Sequence, residues 1–195
     1  MAIKTEELQP RVAPHSDGAG VINAMDDGVS PSRIGERIWV WNGSWRRVMD
    51  TAAAYIAIPV AYAVPLAANV DFSSVGAYLG IPAITAFHSV RMAGDVAGKT
   101  VLVIGASSIF GYYTAQIAPI KGARVIGAVG SEDKARHAFT AGGAATINYK
   151  TERVSERIKE LSAGKGVDAI VELDLNTTVK LLGNGALAPH GSLVS

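Results

Sequence analysis

Residues 99–134 read KTVLVIGASSIFGYYTAQIAPIKGARVIGAVGSEDK, and the succession of textures within them decides the fold. KTVLVIGA is a continuous apolar run, the mark of a strand buried on both faces of a parallel sheet. FGYYTAQIAPIKG predicts a helix that Pro119 ends or kinks near its last turn, since proline has no N–H to donate. ARVIGAVG reads as a second strand and SEDKARHAFTAGG as a second helix. Toward the C-terminus the alternation continues. ATINYK is a third strand, and RVSERIKELSAGKG is an amphipathic helix with Val154, Ile158 and Leu161 on one face. VDAIVEL is a fourth strand, TTVKLLGNGA a shorter helical piece, and GSLVS a fifth strand. Strands alternating with helices across short connections imply the α/β class, with a doubly wound, Rossmann-type parallel sheet. A dinucleotide lies across the carboxyl ends of the strands in such a sheet.

Toward the N-terminus the texture changes. Up to Val90 the chain is rich in turns, and GAGVINAM, RIWVWNG, AAAYIAI and AYAVPL read as short strands between Gly, Asp and Pro. Two domains are expected, a β-rich one over 1–90 and the Rossmann-type one over 91–195. Residues 51–70 carry no charge and match a membrane span of about 20 residues on length alone. Pro59 and Pro65 interrupt them, and the pieces between read better as strands ending at proline, which gives no membrane partner. The N-terminus is polar and has no secretory apolar core.

Composition narrows the function. The chain is 49% hydrophobic and 18% charged, enough apolar material for a sizeable core. A net charge of +1 without a basic run gives no case for nucleic acid. The absence of cysteine removes disulfides, thiolate nucleophiles and every zinc site built on sulfur, and is compatible with the reducing cytoplasm.

Between the first Rossmann strand and its helix lies GASSIFG, from Gly105 to Gly111. A glycine-bearing turn there lets backbone N–H groups approach a pyrophosphate at the helix N-terminus, where the dipole favours negative charge. The usual fingerprint has three glycines; this loop keeps two, so it reads equally as an ordinary tight strand-to-helix turn. An NAD site calls for a carboxylate at the end of the second strand, to bind the ribose hydroxyls. Here that position reads Ala128, Val129, Gly130, followed by Ser131 and Lys134, a hydroxyl and a cation suited to a 2′-phosphate. Ser131 also has the right chemistry to cap the second helix, and the two roles are compatible. NADPH is the expected cofactor.

The segments SDGAGVI, GERIWVWNG, LGIPAITAFHSV, KTVLVIGASSIFG, GARVIGAVGSEDK, ATINYK and GKGVDAIVEL occur in the order used by the zeta-crystallin-like quinone oxidoreductases. The chain resembles this zinc-independent family of the medium-chain dehydrogenase/reductase superfamily from about residue 14 to residue 195. The resemblance implies that Gly105, Ser107, Ser108, Ile109, Phe110 and Gly111 lie along the pyrophosphate. It places Gly130, Ser131 and Lys134 at the adenosine 2′-phosphate, with Tyr149 closing over that end. It sets Thr85 toward the nicotinamide half and Thr178 beside the cofactor. It also implies that the turn-rich N-terminal part is a portion of a GroES-like catalytic domain. The expected activity is hydride transfer from NADPH to a quinone or enone, the small-molecule partner, without metal.

There are departures from the family pattern. Ser108 and Ile109 replace two loop glycines, and their side chains crowd the pyrophosphate position. Zinc-dependent relatives carry Gly-His-Glu where this chain has His15, Ser16 and Asp17, so Ser16 stands at the ligand position. His15, His88, His137 and His190 are scattered, with no pair at the spacing of a zinc-binding helix. No metal ligand is expected. No catalytic residue is assigned either, because the family's substrate-side tyrosines belong to an opening segment that this sequence does not contain. The sheet is expected to stop one strand short of the family's, leaving an edge for a second copy to pair with as a homodimer.

Two other readings follow from the residues. A short-chain dehydrogenase needs Tyr-x-x-x-Lys, and none of the six tyrosines has a lysine four places on; Tyr149 has Arg153 there. A nucleotide-binding module without turnover, or an inactive fragment of such an enzyme, is compatible with the altered loop and the short length.

Overall fold

The computed structural model describes residues 13–47, 50–73 and 76–195, which fall into two compact units, one up to Ile81 and one from Pro82 onward.

The first unit is built on a three-stranded antiparallel sheet of β1 (Gly18–Val21), β2 (Arg37–Val40) and β3 (Ala63–Pro65). Alternation along β2 sends Ile38 and Val40 inward, where Ala63 joins them in a small core edged by Ile22, Ile56 and Ile58. AAAYIAI, expected as a strand, forms none. Its backbone is tied to the unit by the Ala52 N–H donating to the Pro14 carbonyl, and among the described residues no strand pairs with it in a ladder. An apolar cavity of about 300 Å³ opens between this segment and the sheet, lined in part by Val21, Ile38, Val40, Ile56 and Ile58.

The second unit follows the strand-helix alternation. Its sheet runs β6 (Ala145–Asn148), β5 (Arg124–Val129), β4 (Thr100–Ile104), β7 (Val167–Val171), β8 (Leu187–Val194), and every neighbouring pair is parallel. α2 (Ile109–Ile120) follows β4, α3 (Glu132–Thr140) follows β5, α4 (Val154–Leu161) follows β6 and α5 (Leu175–Leu182) follows β7. The two-residue period of the strands, broken by an irregularity between Val167 and Ala169, sorts their side chains into separate cores. Val101, Val103, Val125, Val129, Ala169 and Val171 pack with Phe110, Ala115 and Ala118 of α2 and Ala138 of α3. Leu102, Ile126, Ile147, Val167 and Ile170 pack with Ile158, and with Val154, Leu161, Leu181 and Leu182, on the other face. The predicted stripe of α4 is therefore its buried face. Both faces are covered, which is why these strands read as unbroken apolar runs.

One local outcome differs from the sequence reading. Residues 81–92, read as part of a turn-rich region, form α1 (Ile81–Met92), which buries Ala86, Ser89 and Val90. Pro119 stands in the last turn of α2, and the helix closes one residue later at Ile120, in line with the sequence reading. Among the described residues no helix is long and apolar enough to cross a membrane.

Candidate dinucleotide site

The strand order turns between β4 and β7. Moving along the sheet from β4, the chain next visits β5 and β6 on one side and β7 and β8 on the other. The crevice at the carboxyl ends of such a reversal is where doubly wound sheets bind ligands.

The turn leaving β4 is shaped by its two glycines. Gly105 takes φ +67°, the left-handed region, and its carbonyl accepts from the Ser108 N–H at 2.8 Å. A side chain on Gly111 would run into the Gly105 carbonyl oxygen and stand 2.7 Å from the Ala106 Cα, so α2 starts in direct contact with the strand end. Ser108 caps that helix, its hydroxyl accepting from the Gly111 N–H at 3.0 Å. The backbone of Ser108, at φ −72°, has no need of glycine, and its side chain is turned into the cap. Ser107 is half-buried, while Ser108 and Ile109 are exposed. Phe110 turns its ring into the core between α2 and the sheet, leaving its backbone N–H as its contribution to the loop.

A second cluster forms where β5 and β6 end. Gly130 closes β5 against Tyr149: a Cβ added at Gly130 would lie 2.6 Å from the phenol oxygen and 3.3 Å from Cε of Lys150. Ser131 caps α3, its hydroxyl accepting from the Lys134 N–H at 3.3 Å. Glu132 and Asp133 lie in the first turn, and Asp133 is ion-paired with Arg136. Lys134, Tyr149 and Lys150 are exposed. The structure thus adds Lys150, which sequence reading passed over although it adjoins Tyr149. Nothing in the residue pattern alone shows that its stem lies against Gly130.

Beyond β7 the structure exposes another omission. Glu172, one residue past the strand, is 1% exposed. Its Oε2 accepts from the Asp174 N–H and lies 3.5 Å from the Thr178 hydroxyl, and its Oε1 has no partner among the described residues. Thr178 is fully buried and faces this carboxylate, an inward placement. Thr85 is half-buried on α1.

In the first unit, the residues at the zinc-ligand position are engaged with protein. The Ser16 hydroxyl accepts from the N–H and the hydroxyl of Ser44, and Asp17 Oδ1 accepts from the Ile81 N–H at 2.7 Å. Burial pushes the Asp17 carboxyl above its ordinary range, partly offset by that N–H and reinforced by the charge of Asp50. Asp50 is 1% exposed, and burial likewise raises it, against the Thr51 N–H and the charges of Arg47 and His15. Among the described residues no three His, Asp or Glu side chains converge as a metal-binding group.

Comparisons with known proteins agree with this architecture. The family model described as zinc-binding dehydrogenase matches residues 110–195. The quinone oxidoreductase of Rattus norvegicus is 36% identical over 180 residues, covering 88% of this chain and 52% of that protein. A crystal structure of Escherichia coli quinone oxidoreductase complexed with NADPH superposes with a TM-score of 0.79 at 25% identity, over 91% of this chain and 53% of that one. An NAD-dependent alcohol dehydrogenase structure gives 0.85 at 28% identity, over 96% and 61%. The chain spans about half the length of the curated relatives it matches. A parallel sheet that reverses at β4, a helix seated on its glycine turn, and collinear similarity over most of its length make the chain similar to the quinone oxidoreductases of the medium-chain dehydrogenase fold.

Proposed function

We propose that this chain carries the NADPH-binding part of an oxidoreductase that reduces a quinone or an enone. Its second unit is the nucleotide domain, and its first is a portion of the GroES-like catalytic domain. The observation that carries this reading is the paired cradle at the carboxyl ends of β4 and β5: Gly111 seated on Gly105, and Tyr149 with Lys150 packed on Gly130. The first pair brings the N–H groups of Ser107, Ile109 and Phe110 to a helix N-terminus, where a pyrophosphate is stabilised by donors and dipole together. The second offers Ser131, Lys134 and Lys150 to a 2′-phosphate, with the Tyr149 ring alongside, and has no carboxylate at the end of β5 to bind ribose hydroxyls.

When bound, NADPH supplies the hydride, and the protein's part is to hold the two ends of the cofactor and keep water from the reacting ring. The residues present do not fit a catalytic zinc. The Ser16 hydroxyl and Asp17 Oδ1 accept from protein donors, and the sequence has no cysteine to complete a ligand set. Reduction without a metal electrophile is the reading these contacts support. β8 stands at the end of the five-stranded order, and its open edge suits pairing with a second copy as a homodimer.

The test is calorimetric titration with NADPH and NADH, followed by NADPH consumption with a quinone and with an enone. Binding of NADPH with NADH clearly weaker, then turnover, is the expected result. Failure to bind either nucleotide overturns the reading. Ser108 and Ile109 standing in the glycine turn favour a second reading, a binding module without turnover; binding with no consumption of NADPH identifies it.

A further inference from the structure

Glu172 is a buried carboxylate in a costly place. It sits directly after β7, its backbone N–H still bonded to the Val194 carbonyl of β8 at 3.0 Å, so the residue is fixed by the sheet. It is 1% exposed, and among the described residues no lysine or arginine pairs with it. A well-packed apolar side chain would meet less penalty there, since a charge withdrawn from water needs compensating partners. The partners it has all belong to one turn. Oε2 takes the Asp174 N–H and lies within reach of the Thr178 hydroxyl on α5, while Asp174, the residue that begins α5, makes no side-chain cap of its own. Glu172 therefore holds the residue that leads into α5 from the strand side, and the turn 172–174 is locked between β7 and α5. The lock leaves Leu173 63% exposed at the tip of the turn and Leu175 49% exposed just behind it.

The place of this turn gives the lock a purpose. With the pyrophosphate at the end of β4 and the adenosine end over β5 and β6, the rest of a dinucleotide must run to the other side of β4, where the neighbouring strand is β7. We propose that Glu172 is a positioning residue for the nicotinamide half of the cofactor. It acts through the backbone of the β7–α5 turn and holds the apolar tip at Leu173 as a fixed surface for that half. The inference rests on the dinucleotide site proposed above and adds to it a residue that touches no phosphate.

Two ligands separate this role from general stability. Adenosine 2′,5′-bisphosphate carries the adenosine end alone, whereas NADPH adds the nicotinamide half. The full chain and its Glu172→Ala and Glu172→Gln variants are titrated with both, with circular dichroism to confirm the fold. Loss of a turn-fixing acceptor is expected to weaken NADPH about tenfold in Glu172→Ala while leaving adenosine 2′,5′-bisphosphate within about twofold. Glu172→Gln, which keeps an oxygen for the Asp174 N–H, is expected to stay within about threefold of the parent for both. Equal weakening of the two ligands, or no change in either, overturns the proposal. If the parent chain binds neither ligand, the dinucleotide site itself is refuted and this role with it. If Glu172→Ala does not fold, the comparison passes to Thr178→Val and Glu172→Gln. Thr178→Val removes the hydroxyl beside the carboxylate and is expected to weaken NADPH about threefold while leaving the bisphosphate unchanged. A Thr178→Val variant that matches the parent for both ligands, or a Glu172→Gln variant that loses NADPH, refutes positioning through the accepted Asp174 N–H.

Discussion

At the scale of single residues, the strongest chemical asymmetry is at the end of β5. Lys134 stands in the first turn of α3 with its N–H on the Ser131 hydroxyl, and Lys150, two residues past β6, lays its stem against Gly130. A 2′-phosphate there gains charge-assisted contacts that a ribose hydroxyl cannot. Replacing either lysine by alanine is expected to weaken NADPH about tenfold and leave NADH within about twofold, so the preference between the nucleotides collapses in the double variant. Parallel titrations of the four proteins check this. A second prediction belongs to Asp50. Burial raises its folded pKa above the ordinary 3.8, so the folded state holds the proton more tightly than the unfolded chain does. Stability then falls as pH rises from that value through the raised one, and the penalty is complete at neutral pH. Asp50→Asn keeps the oxygen that accepts from the Thr51 N–H and removes the charge that also raises Asp17. The variant is expected to be more stable than the parent at pH 7, with the advantage shrinking toward pH 4, as read by urea unfolding at both values.

At the scale of elements, the contact of α2 with the end of β4 is the feature least tolerant of change. Gly111 meets backbone on two sides, the Gly105 carbonyl and the Ala106 Cα, and backbone cannot rotate away as a side chain can. Gly111→Ala is expected to cost about 1–3 kcal/mol of stability and to lose nucleotide binding, since α2 must lift off the turn whose N–H groups form the cradle. Thermal unfolding with and without NADPH measures both. Which elements were legible from the residues follows from the same packing. β4, β5 and β7 announce themselves because a strand covered on both faces has no polar alternation to confuse it. α1 was missed because IPAITAFHSVRM is apolar and β-branched around most of its circumference, so it shows no clean stripe. The expected strand at AAAYIAI had the right residues but pairs with no strand among the described residues, and pairing cannot be read from one segment alone. At the site, the glycine turn and the missing carboxylate were visible in the residues. Lys150 and Glu172 were not, because their significance lies in what stands beside them in space.

At the scale of the molecule, the two units have cores of very different strength. The first gathers Ile38, Val40 and Ala63 beside an open apolar cavity, and leaves Val21, Tyr55 and Val60 about half exposed or more. The second buries Leu102, Ile126, Ile147, Ile158 and Ile170 completely, with a second core on the opposite face of its sheet. Burial of apolar area is the main term favouring each fold, so local opening is expected to cost far less in β1–β3 than in β4, β5 and β7. All three tryptophans, Trp39, Trp41 and Trp45, belong to the first unit. Their emission should therefore change at lower urea than the far-ultraviolet circular dichroism, to which the helices of the second unit contribute most. The proposed cradle lies wholly within the second unit, which makes the cofactor a local probe. NADPH at about 100 times its Kd should add about 2.7 kcal/mol to the protection of the slowest amides of β4, β5 and β7. The amides of β1–β3 should exchange at their former rates. Hydrogen exchange followed by mass spectrometry resolves the two sets, and equal added protection in both would mean that the nucleotide also engages the first unit.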